Sequence, residues 1–167
     1  MSKIQVIKAH ELKETTRGRS LAKGLLAGLI GGVVATAAKT LAEKVYPPRT
    51  HGEPEPQVVL AEKFAGHELV GTHKDVATGA INWGFGALTG AAYGALVEYY
   101  PAATAKDGAT FGIALSSLTH GTVLPAMGLG AKPEEQTARE RTSEMATHVV
   151  YGVVTETVRR VVRKMLR

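Results

Sequence analysis

Two long stretches of this chain carry no formal charge, Val76 to Val97 and Gly108 to Ala131, and each is bounded by charged residues. A helix crossing a bilayer needs about 20 predominantly apolar residues, since each adds about 1.5 Å against a hydrocarbon core about 30 Å thick. Both stretches are long enough, so an integral membrane protein is the expected class. A mean hydropathy near zero would by itself suit a soluble protein. That average hides a segregation: polar residues gather in the first 20 positions, in 43–75, in 132–144 and at the C-terminal end.

The expected fold is all-α, a small helical membrane domain over 21–166 with about four transmembrane helices, near 21–42, 76–98, 108–131 and 142–163. A basic arm over residues 1–20 precedes it, and a long loop, 43–75, separates the first two spans. Gly24 to Ala38 is short for a span, but Lys23 and Lys39 can snorkel to opposite interfaces and extend it. A rival reading is a signal peptide, given the basic start, the apolar run and Ala35-Thr36-Ala37. The long basic arm and the apolar segments downstream weigh against it. The loop opens with Pro47-Pro48-Arg49 and Glu53-Pro54-Glu55-Pro56, which no helix interior tolerates. Within it Val58, Leu60, Ala61, Phe64, Ala65 and Leu69 recur at roughly helical spacing, as in a helix lying on the membrane surface.

Lysine and arginine cluster at both ends (Lys3, Lys8, Lys13, Arg17, Arg19 and Lys23; then Arg159, Arg160, Arg163 and Lys164). With four spans, the positive-inside bias puts both termini in the cytoplasm and the 43–75 and 132–141 loops outside. The same placement makes a lipid surface a better partner than nucleic acid for the net charge of +5. No cysteine is present, which excludes disulfides, thiolate metal sites and a cysteine nucleophile.

Glycines recur every fourth residue at Gly24, Gly28 and Gly32 and again at Gly86, Gly90 and Gly94. Each set lies on one helix face, where another backbone can approach closely, within the monomer or in self-association with a second copy. Tyr99 and Tyr100 suit an interfacial aromatic belt.

Titratable residues at membrane depth are the main functional clue, because burying them costs free energy unless a partner compensates. His120 falls near the middle of the third stretch, and Pro125, five residues on, is expected to distort the helix and free a backbone carbonyl. Glu144 and His148 stand four apart and share a face. Counting about 1.5 Å per residue from the expected outer ends, His148 lies about 9 Å deep and His120 about 16 Å. By depth, Glu98 is expected to pair with Arg159 and Arg160 at the inner end, while Lys39 and Glu43 lie level with Glu144.

Several ordered elements then point to a family: the glycine-rich span running into Lys39, Ala42-Glu43 and Pro47-Pro48-Arg49; Tyr93 through Glu98 to Pro101; His120 followed by Pro125-Ala126-Met127-Gly128-Leu129; and Ser143-Glu144, His148, Glu156 and Arg159-Arg160. In these the chain resembles the YagU-like family of bacterial inner-membrane proteins, a domain of unknown function. The resemblance implies four helices and an inner-membrane address. It marks Lys39, Glu43, Arg49, Glu98, His120, Pro125, Glu144, His148, Glu156 and Arg159 as matching positions, and brings no activity with it. The loop between the first two spans is shorter and less aromatic than the family pattern.

Three functional classes follow. The first is a pH-responsive protein or ion pathway using intramembrane histidine and glutamate, since the unperturbed histidine pKa is near 6.5. In the second, His120, His148 and Glu144 bind a metal, two imidazoles and a carboxylate being suited to zinc. The third is a structural or assembly role with other membrane proteins or as a homo-oligomer. An enzyme is not expected: no nucleophile motif frames Ser116, Ser117 or Ser143, and Gly84-Phe85-Gly86 with Gly90 lacks dinucleotide-loop spacing. No cofactor is implied.

Overall fold

The computed structural model describes residues 19–50 and 53–166; the basic arm through residue 18 lies outside the described residues. Five helices follow one another: α1 (Leu21–Val45), α2 (Pro56–Ala65), α3 (Gly71–Tyr99), α4 (Ala109–Leu118) and α5 (Ala138–Met165). α4 continues through a π-helical turn, Thr119–Val123, into a last α-helical piece, Leu124–Ala126. Among the described residues there is no strand.

Local chemistry sets the boundaries. Ser20 caps α1 by accepting from the Lys23 amide, and Thr137 caps α5 by accepting from the Glu140 amide at 3.1 Å, each satisfying an orphan donor of a first turn. Pro56 opens α2, where its missing N–H costs nothing, and Gly66 at φ 74° closes it. Between α3 and α4, Pro101 starts a 3₁₀ segment that reverses the chain at Lys106 and Asp107, whose φ values are 54° and 53°.

Contacts at the helix ends show α1 running antiparallel to both α3 and α5. Its start meets the end of α3, where the Ser20 amide donates to Glu98 Oε2 at 3.0 Å. Just past its end, Tyr46 Oη and Thr142 Oγ1 lie 3.0 Å apart at the start of α5. α4 packs on the remaining side of α5, and α2 rests against α3. The α1–α3 seam is glycine on glycine. A Cβ built on Gly90 would lie 2.6 Å from the Gly32 Cα, and one on Gly24 would lie 2.8 Å from the Gly94 carbonyl oxygen. Both expected glycine faces therefore meet each other inside one chain.

The helices differ from the expected spans in instructive ways. The third apolar run does not stay helical to Ala131; Gly128, at φ 68°, turns the chain out after Ala126. The 43–75 loop contains α2 and the first turn of α3. Only α1 combines bilayer length with sustained apolarity among the described residues. α3 opens with His73, Lys74 and Asp75, α4 is broken into short pieces, and α5 carries charge along its length.

Size and polarity are distributed in reverse of a water-soluble bundle. The buried positions are mostly small or polar, among them Ala27, Ala35, Thr36, Ser143, Thr155 and Glu156. Large apolar side chains point outward: Leu26, Leu29, Trp83, Phe85, Leu88 and Leu118 are all exposed.

Candidate functional site

Pro125 is where the site begins. A proline inside a helix has no N–H to donate and its ring presses on the carbonyl four residues back, here Gly121. The helix relaxes into the π-turn Thr119–Val123, a distortion often found at functional positions. A π-turn bonds i to i+5, so the His120 carbonyl would need the amide that Pro125 lacks. Gln136 supplies the donor instead, its Nε2 lying 3.3 Å from His120 O. The expected free carbonyl is thus held by a side chain from the loop before α5.

The same turn aims His120 at α5. Its Nε2 lies 3.2 Å from Glu144 Oε2, and its ring meets that of His148 edge-on with centroids 5.0 Å apart. The expected depth mismatch disappears because α4 ends early: counted from Ala126 at about 1.5 Å per residue, His120 lies about 9 Å deep, as expected for His148. His148 Nδ1 donates to the Glu144 backbone carbonyl at 2.7 Å. A carbonyl only accepts, so Nδ1 carries the hydrogen and the neutral ring keeps its lone pair on Nε2.

Glu144 sits at the centre and is 3% exposed. Arg49 Nη2 approaches its Oε1 to 3.0 Å and reaches to within 4.0 Å of Glu140 as well. Neither Arg49 nor His120 has the angle of a hydrogen bond, so among the described residues both buried carboxylate oxygens lack a donor. A buried carboxylate left this way is costly. Lys39 and Glu43, expected to lie level with Glu144, pair with each other along α1. Both groups line a partly open cavity of about 240 Å³ whose walls come from α1, α3, α4 and α5, with α2 and Pro47–Arg49 at its rim. Two successive prolines carry the chain off the end of α1 and hold Arg49 over this cavity.

The cavity ends at Tyr151, whose hydroxyl donates to the Gly86 carbonyl at 2.6 Å. Phe111 packs on Tyr151 at 6.1 Å and stacks on Tyr93 at 4.2 Å, centroid to centroid. Beyond these rings lies a second polar cluster at the opposite end of the bundle. Glu156, 1% exposed, accepts from Tyr93 Oη at 3.0 Å, from Arg159 Nε and Nη2 at 2.7 and 2.9 Å, and from Arg160 Nε at 3.2 Å.

Glu98 does not pair with Arg159 or Arg160. It takes Arg163, one turn further along α5, through the Nε–Nη2 edge of the guanidinium, Nε donating to Oε1 and Nη2 to Oε2 at 3.0 Å. Arg159 and Arg160 are captured first by Glu156, which stands three and four residues before them on their own helix. Of the residues singled out in the sequence, His120, Glu144, His148, Lys39, Glu43 and Arg49 come together at the cavity, whereas Glu98, Glu156 and Arg159 lie at the other end. Gln136 and Tyr151 were not foreseen. The proline five residues after His120 was the one available hint that a carbonyl there needed a partner.

The fold and this site define an all-helical bundle with an apolar exterior and ionisable groups inside. The chain belongs to the family DUF1440, described as a protein of unknown function, whose model matches residues 33–157. No curated protein and no solved structure matches the chain.

Proposed function

We propose that this is a multi-span protein of the bacterial inner membrane, with α1, α3, α4 and α5 crossing the bilayer, α2 lying at the outer interface, and both termini cytoplasmic. Its working part is the ionisable cavity of the outer half, which binds a small cationic ligand and performs no catalysis. The narrower likeness to YagU-like proteins belongs to the same reading.

The observation that carries it is the inverted distribution of side chains. A folded chain in water would expose Glu144, Glu156 and Arg159 and bury Leu26, Leu29, Leu88 and Leu118; this one does the opposite. In hydrocarbon the arrangement is favourable, because lipid solvates the leucines and the buried charges pair inside the bundle. α5 then spans the membrane despite its charge, shielded by α1 and α4. Binding is favoured over conduction because the Tyr151, Phe111 and Tyr93 rings separate the cavity from the inner cluster. It is favoured over a purely structural role because both glycine faces are already used within the chain. A pH response would draw on the same outer-half side chains.

The absence of native cysteine makes the topology directly testable. Single cysteines at Glu55, Lys106 and Leu166 are probed with a membrane-impermeant maleimide in intact and permeabilised cells. Glu55→Cys is expected to label in intact cells, and the other two only after permeabilisation. Labelling of Glu55→Cys and Lys106→Cys from the same side, or release of the protein by alkaline carbonate, would overturn the multi-span reading.

A further inference from the structure

We infer that His120, Glu144 and His148 form a binding site for one divalent transition-metal ion of the zinc class. The inference names the ligand of the cavity proposed above and rests on that reading only for its membrane setting.

One ligand atom from each of the three residues lies within 4.8 Å of the other two. A tetrahedral zinc ion with nitrogen and oxygen ligands at about 2.0–2.2 Å holds them roughly 3.5 Å apart. The His120 and Glu144 atoms, 3.2 Å apart, already stand near that spacing, and the widest pair of the trio has to close by no more than about 1.3 Å, within the reach of side-chain rotation. His120, the most exposed of the three side chains at 16%, sits on the π-turn and is the member best placed to move.

The surrounding contacts are those of a supported site. His148 has its Nδ1–H fixed on a backbone carbonyl, the usual second partner of a metal-binding imidazole, leaving Nε2 as the donor atom. Glu144 is divided between two roles. Its Oε1 faces Arg49, while Oε2 lies 3.2 Å from His120 Nε2 and 3.8 Å from the Nδ1 side of the His148 ring. An ion bound through Oε2 satisfies a buried oxygen that accepts no hydrogen bond among the described residues, and Arg49 remains on the other oxygen. Lys39, which also lines the cavity, is held by Glu43. Two imidazoles with one carboxylate suit a borderline ion such as zinc rather than magnesium or calcium, which take mainly oxygen ligands. Three protein ligands leave one position open toward the cavity.

Untagged full-length protein, purified in detergent and stripped with a chelator, is titrated with cobalt(II), whose tetrahedral complexes show intense visible bands. One cobalt per chain is expected, displaced by zinc and unaffected by magnesium or calcium. His120→Ala and His148→Ala are each expected to abolish the band and weaken zinc binding more than about 100-fold. His67→Ala and His73→Ala, at exposed positions outside the cavity, leave it unchanged. Because Glu144→Gln strands Arg49 and can unfold the bundle, the histidine variants decide, each checked for unchanged melting without metal. Absence of a stoichiometric band, or a band that survives in both histidine variants, would overturn the metal site while leaving the topology result standing. Release by carbonate would remove the membrane reading and leave the titration intact.

Discussion

Replacing glycine by alanine at Gly90 and at Gly79 puts the same methyl group on the same helix, α3, with opposite consequences. At Gly79 an added Cβ meets nothing within 4 Å, whereas at Gly90 it lies 2.6 Å from the Gly32 Cα and 2.8 Å from the Gly32 nitrogen. Ordinary contact begins near 3.4 Å, so α1 and α3 must part by about 0.8 Å along their seam. A gap of this size forfeits a quarter to a half of each dispersion contact across it. Overpacking of this kind costs about 1–3 kcal/mol. The helix-propensity gain of alanine over glycine, about 0.5–1 kcal/mol, is common to both sites and cancels in the comparison. Gly79→Ala is therefore expected to be neutral or stabilising, and Gly90→Ala to fall below it by about 1–3 kcal/mol. Reversible unfolding of the purified chain in mixed micelles, followed by circular dichroism, measures both. Equal effects at the two positions would refute the close approach of α1 and α3.

Three further outcomes are expected. Glu156→Gln leaves the buried Arg159 guanidinium without its counter-charge and should cost about 3–5 kcal/mol in the same unfolding assay. Tyr93→Phe removes one donor of four and should cost only about 1 kcal/mol; a comparable loss in both variants would mean that the hydroxyl, not the charge, holds the inner cluster. Glu98→Gln should lower stability by about 1–3 kcal/mol by removing the two-point pairing with Arg163, whereas removing the positive charge at Arg160, an exposed partner of Asp107 and Glu156, should cost less than either. Pro125→Ala restores the missing amide, allows regular α-helix through residues 119–123 and turns His120 away from Glu144, so cobalt binding should fall while melting is unchanged or raised.

Helix content and the residues of interest were legible in the sequence because they depend on local pattern. Charge-free runs, proline breaks and four-residue glycine spacing gave the helices, and intramembrane depth pointed to His120, Glu144 and His148. What stayed hidden depends on how elements end and turn. Gly128 takes a left-handed conformation that ends α4 five residues before its apolar run does, and apolarity does not encode backbone angles. The π-turn rotates His120 relative to a regular helix, and counting residues registers depth without that rotation. Arg163 displaced Arg159 and Arg160 as the partner of Glu98 because Glu156 competes for the nearer arginines from the same helix, and depth ranks positions without counting competitors. Arg49 was a position worth marking, but only the fold-back after Pro47-Pro48 shows that it faces Glu144.

The charge along α5 bears on how such a bundle is made. In a bilayer, a segment with Glu144, His148, Glu156 and Arg159 along its length is a poor candidate for insertion alone, since each central charge costs about 2.5–3.5 kcal/mol. Every partner that compensates those groups from another element lies earlier in the chain: Arg49, Tyr93 and His120, together with the glycine face of α1 at Gly31 that receives the Thr155 carbonyl. Synthesis thus delivers these partners before the polar helix that they receive. In the proposed membrane setting, α5 would enter by docking against α1 and α4 after the apolar run of α1 has inserted unaided.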